Sequence, residues 1–144
     1  AMDSLTSRFI LWKVSFFTLI PQHPFFGSGI GTAGEAIEKY LGHKNIPHND
    51  FLRLSVEIGI FGAILYVIFI IKEIRYYISK IITKTNRELN VVVLAMFIFF
   101  TLSSFAQNMF YNVINMTILC AMLAISKKMN FIEKIDSHAK ATTL

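Results

Sequence analysis

The chain has 144 residues, 54% of them hydrophobic and only 16% charged, with a mean hydropathy of +0.55. An ordinary soluble domain carries roughly 25% charge, so that class is excluded, and the chain is too apolar to be disordered. The net charge of +5 sits in short clusters between apolar runs and not along one face, which argues against a nucleic-acid binder and for a membrane protein.

The chain opens on Ala1-Met2-Asp3, with no basic stretch ahead of its first apolar run, so no signal peptide is read here, and further residues of a larger protein are expected upstream. Phe9 to Ile20 is apolar nearly all round, but it is 12 residues long and holds Lys13. That is too short to span a bilayer. The spacing predicts a helix over 5–20 that lies in the interface or packs on a larger bundle. Residues 21–49 hold five of the seven glycines between positions 27 and 42. They read as a loop with a short helix at 33–41.

The remaining chain reads as an all-α membrane region of about three transmembrane helices. Ile58 to Ile71 is uncharged, and a span over 52–71 takes in Arg53 and Glu57, which share a helix face at i, i+4. Leu89 to Ser126 holds 38 residues without a charge, too many for one span of about 20 residues. Ser103, Ser104, Gln107, Asn108 and Asn112 break it, so helices are expected over 89–106 and 110–126. Lys and Arg cluster at 72–88 and in the tail 127–144, which places both on the cytoplasmic side and residues 1–51 outside.

Three features carry possible chemistry. Pro24-Phe25-Phe26-Gly27-Ser28-Gly29-Ile30-Gly31 is a glycine-rich turn. Gly29 and Gly31 permit either close approach to a ligand such as phosphate or simply a tight turn. No strand precedes it and no Lys-Thr follows, so it is neither a dinucleotide-binding nor a P-loop signature. His48 precedes Asn49 and Asp50 at the edge of a span. An imidazole there is a solvated loop residue or a general base, since the group titrates near pH 6.5. His23, His43 and His48 lack the convergent ligands of a zinc site. The one cysteine, Cys120, excludes an internal disulfide.

In order, the chain presents Arg8-x3-Trp12, Pro24-x2-Gly27-x-Gly29-x-Gly31, and His48-Asn49-x9-Gly59-x2-Gly62. This set resembles the C-terminal half of the O-antigen ligase superfamily of bacterial membrane proteins, which also includes O-antigen polymerases. The resemblance implies a multi-pass inner-membrane glycosyltransferase that uses no metal and no organic cofactor. Its active-site loop is periplasmic and its C-terminus cytoplasmic. The implied donor is a glycan on undecaprenyl diphosphate and the implied acceptor is lipid A–core. His48 then corresponds to the residue that activates the acceptor hydroxyl, and Arg8 to a diphosphate-binding arginine; a second family arginine would lie upstream. From the residues themselves, Arg53 either pairs with Glu57 or helps hold phosphate, Asn49 and Asp50 support His48, and Gly59 and Gly62 allow close helix packing.

Overall fold

The structure is a computed structural model that describes residues 4–43, 45–109 and 112–142. Ala1-Met2-Asp3, where an upstream continuation is expected, and Lys44 lie outside the described residues. So do the first two residues of the helix expected at 110–126 and the last two of the tail. The described residues form helices joined by turns and loops, with no strand among them. In chain order they form α1 (Ser4–Val14), a π-helical turn (Ser15–Leu19), α2 (Ile20–Gln22), α3 (Ala33–Leu41), α4 (Asp50–Ile82), α5 (Arg87–Ser103) and α6 (Val113–Thr142). The all-α class therefore holds. One described helix, Asp50–Ile82, is long and apolar enough to cross a membrane by length and composition. Only 28% of its most apolar stretch is buried, unlike the core helix of a soluble protein.

The chain divides into two compact units. The first runs to Phe69 and takes in Ser103–Met109. Its core is Leu11 of α1, Leu19 of the π turn, Ala33 and Ile37 of α3, and Val56 of α4. The wider π turn carries Leu19 around to the buried side already occupied by Leu11. Gly42 closes α3 in the left-handed conformation, its N–H donating to the Glu38 carbonyl, and the side chains of Gln22 and Tyr40 hydrogen-bond from α2 to α3.

α4 is not one straight rod. Gly59 has φ 72° and ψ −175° inside it. In a straight helix Phe51 and Tyr66 would stand about 22 Å apart along the axis, yet their ring centroids are 5.3 Å apart. The element is therefore a short helix over 50–58 and a long one over 60–82, bent sharply toward each other. The long part rises about 35 Å, enough for a hydrocarbon core of about 30 Å. The sequence pattern placed one span over 52–71, because a left-handed glycine leaves no mark on hydropathy. Arg53 and Glu57 belong to the short helix before the break.

The second unit comprises Ile70–Leu102 and the described residues from Asn112 onward. Its interior holds Tyr77, Val93 and Phe97, with Asn90, Ser126 and Asn130 also buried. Asn90 Nδ2 donates to Asn130 Oδ1 at 2.9 Å, and Asn130 Nδ2 donates back to Asn90 Oδ1 at 3.0 Å. The Ser126 hydroxyl donates to Asn90 Oδ1 at 2.7 Å, and Asn130 Nδ2 reaches the Tyr76 hydroxyl at 3.2 Å. Glu133 Oε2 accepts the Asn86 N–H at 2.9 Å, so a carboxylate from α6 covers the positive end of α5. Segments 72–88 and 127–144, expected as a loop and a tail, are largely helix: only Thr83–Asn86 turns, and α6 runs on to Thr142. Charge ends a hydrophobic run, but Lys, Arg and Glu are good helix formers, so the helix does not stop with it.

Candidate active site

The break in α4 defines the site's frame. Interrupting a helix strands the last carbonyls of one part and the first N–H groups of the next. The glycine-rich turn satisfies them from outside. Ser28 N–H donates to Val56 O and Gly29 N–H to Glu57 O, both at 2.9 Å, while Ile60 N–H donates to Pro24 O at 2.8 Å and Phe61 N–H to Phe25 O at 3.4 Å. The Ser28 hydroxyl adds a bond to Val56 O at 3.1 Å. Two glycines make the approach possible. A Cβ on Gly27 (φ +71°) would run into the backbone of Glu57 and Ile58, and one on Gly59 into the backbone of Phe25 and Phe26. Gly27 and Gly29 thus serve the tight-turn reading, with close approach to α4 itself. Gly31 is different: φ is +85° and nothing lies within 4 Å of its Cβ position. Gly62 is helical, and a Cβ there would meet the Ile58 side chain across the break.

The motif residues after the loop are placed by the start of α4. Asn49 N–H donates to Pro47 O at 2.7 Å, so Pro47-His48-Asn49 is a three-residue turn with His48 at its apex. The Asn49 side chain caps the helix: Oδ1 accepts the Leu52 N–H at 3.0 Å, and Nδ2 donates to Phe105 O at 3.0 Å. Asp50 N–H donates to Ser104 O at 2.8 Å, and the Phe51 ring stacks on Phe105 at 4.3 Å. Pro47, Asn49 and Asp50 are buried and His48 is half-exposed. Among the described residues no hydrogen bond engages its imidazole. His48 is thus a presented side chain on a fixed turn, and Asn49 supports it through the backbone.

Arg53 Nε donates to Glu57 Oε1 at 2.9 Å, with the Glu57 side chain fully buried and that of Arg53 12% exposed. The i, i+4 pair read from spacing is formed. Arg8 lies half-buried on α1, with no ion pair among the described residues. Beside it along α1 is an apolar cavity of about 550 Å³ lined by Phe9, Trp12, Lys13, Phe16 and Phe17, with Leu52 of α4. No hydrogen bond among the described residues joins Arg8 to His48.

The order of these parts along the chain now coincides with an independent match. Residues 1–67 match the family model described as O-Antigen ligase. The matched segment is thus similar to the O-antigen ligase family. No curated protein and no solved structure matches the chain. The match ends at position 67, so it covers α1 to the long part of α4 and with them every candidate site residue.

Sequence reasoning missed the part played by residues 103–109, which supply the carbonyls of Ser104 and Phe105 to Asn49 and Asp50. Ser103, Ser104 and Gln107 read only as turn formers. Nothing in a single sequence announces which distant carbonyl a cap will use.

Proposed function

We propose that this chain carries the acceptor-activating part of an O-antigen ligase. The enzyme transfers polysaccharide from undecaprenyl diphosphate to lipid A–core at the periplasmic face of the bacterial inner membrane. The observation that carries the reading is His48, half-exposed at the apex of a turn whose flanking residues are buried, inside the segment that matches the ligase family model.

In this reading an acceptor sugar hydroxyl donates its proton to the His48 imidazole and attacks the anomeric carbon of the donor. The bond from that carbon to the phosphate oxygen breaks, the configuration inverts, and undecaprenyl diphosphate leaves with the bonding electron pair. A planar guanidinium binds the developing charge bidentately, and Arg8 is the residue assigned to it. Arg53 contributes less, because its Nε is held by Glu57. The apolar cavity beside α1 is suited to hydrocarbon, in keeping with a lipid-linked donor.

The alternative within the family is an O-antigen polymerase, which uses the same donor and extends another lipid-linked chain. Deleting the gene and separating lipopolysaccharide on a gel distinguishes them. The ligase reading expects lipid-linked polymer to accumulate beside bare core. Core bearing a single repeat unit would establish the polymerase instead, and an unchanged ladder would remove both.

A further inference from the structure

The glycine-rich turn does more than close the break in α4. Its side chains point away from the core: Phe26 and Ile30 are each 81% exposed and Phe25 59%. Phe25 and Phe26 pack their rings on Phe61, at 5.8 and 5.7 Å between ring centroids, and Phe61 is itself half-exposed. The same outward surface runs on along α4 through Ile60, Ile64 and Leu65. No residue from 24 to 34 is charged, and none from 58 to 71. The two segments joined by backbone bonds across the break are thus both free of charge.

Leaving such a patch in water is unfavourable, at roughly 25 cal/mol per Å² of apolar surface. Non-helical backbone, in turn, is tolerated at membrane depth only where its N–H and C=O groups are paired within the protein. Here four backbone bonds pair Val56, Glu57, Ile60 and Phe61 with the turn. Apolar exposure and a paired backbone at the break, both needed for immersion, thus come from the same few residues.

We propose that the 24–31 turn is inserted in the bilayer, with Phe25, Phe26 and Ile30 in the acyl region beside Phe61. The break at Gly59 then lies within the membrane and not above it. The surface is continuous with the exposed apolar side of the described helix that is long and apolar enough to cross a membrane, and lipid is therefore the occupant assigned to it. The turn acts as a wedge that sets the depth of the break. This assignment is independent of the transfer reaction.

The test uses the full-length protein reconstituted in bilayers, with Cys120 replaced by serine and a nitroxide attached at Phe26→Cys. Collision of the label with oxygen, which concentrates in lipid, is compared with collision with a water-soluble nickel chelate. Labels at Leu65→Cys and Lys39→Cys provide the lipid and water references, both positions being exposed. The expected result is oxygen collision matching position 65 and nickel collision several-fold below position 39. Nickel collision equal to position 39 would place the turn in water. Low collision with both would show it covered by protein, and either result overturns the proposal. Ile30→Cys repeats the measurement from the other end of the turn, so a local effect of the label at 26 does not decide it.

Discussion

The two units solve one problem by different means. Each must hold helices together in a chain so apolar that burial alone specifies little. The first unit uses backbone: the turn at 24–29 bonds main chain to main chain across the break in α4, and glycines at 27 and 59 allow the contact. The second unit uses side chains: Asn90, Ser126 and Asn130 tie α5 to α6, and Tyr76 of α4 joins them. A backbone solution leaves side chains free for other tasks. That is where His48, Arg8, Arg53 and the exposed Phe25 and Phe26 lie. A side-chain solution consumes the polar residues it employs. The comparison predicts that the first unit loses transfer when its side chains change, and that the second loses only stability.

The sharpest break comes from His48. His48→Ala in the full-length enzyme is expected to lower transfer by about 10²–10⁴-fold, the usual worth of a positioned base. Membrane levels should be unchanged, because no hydrogen bond to the imidazole is lost among the described residues. His23→Ala and His43→Ala serve as controls and should transfer normally in the same lipopolysaccharide assay. Normal transfer by His48→Ala would return the residue to a solvated loop role. An equal loss in His43→Ala would end the single-base mechanism.

Next in size is the Arg53–Glu57 pair. Removing one member of a buried ion pair leaves the other charge uncompensated and costs about 3–5 kcal/mol. Glu57→Gln should therefore lower the thermal stability of the detergent-solubilised protein markedly. The change falls beside the break and should weaken the turn's hold on α4 as well. Stability close to wild type would mean that water or lipid headgroups already screen the pair.

How much of this was readable beforehand follows the same division. The helix at 33–41 and the polar interruption near 103–112 follow from glycine spacing and from polar residues in an apolar run, both local signals. The ordered motif from Arg8 to Gly62 was readable as a family resemblance. The break at Gly59 was not, because in sequence a left-handed glycine and a helix-packing glycine look alike. Its partner lies some thirty residues upstream, and only the fold brings Gly27 to Glu57. The zipper in the second unit was missed for another reason. Asn90 and Asn130 are 40 residues apart, and each alone reads as a polar residue near a membrane boundary.

Glycine substitutions sharpen the backbone half of the comparison. Gly27→Ala and Gly59→Ala each meet left-handed strain of about 1–2 kcal/mol, and each also drives a Cβ into opposing backbone that cannot move aside. The loss should exceed the strain figure in both. Gly31→Ala shares the positive φ but meets open space, so its loss should stay within that figure. Thermal unfolding of the three variants in detergent tests the ranking. Equal losses at 27, 59 and 31 would mean that strain alone matters and that the interlock contributes nothing.

The side-chain half makes the smallest and most particular prediction. Asn90→Ala leaves the Ser126 hydroxyl and the Asn130 amide without their buried partner, at a cost of about 1–3 kcal/mol for the unsatisfied groups. Asn130→Ala costs less at Asn90, which keeps the Thr85 and Asn86 carbonyls and the Ser126 hydroxyl as partners, but it also releases the bond from Asn86 Nδ2 to Asn130 Oδ1 at 3.3 Å. If the two residues act as a unit, the loss in the double variant Asn90→Leu/Asn130→Leu should fall below the sum of the single losses, since the two Asn90–Asn130 bonds are then lost once and not twice and neither amide is left facing an empty place, although the Ser126 hydroxyl stays unpaired as in Asn90→Ala. None of the three variants should alter transfer per folded molecule, because neither residue belongs to the unit that carries His48. A double variant showing the full sum would mean that each asparagine is held by its other contacts. A fall in transfer per folded molecule would show that the chemistry is not confined to the first unit.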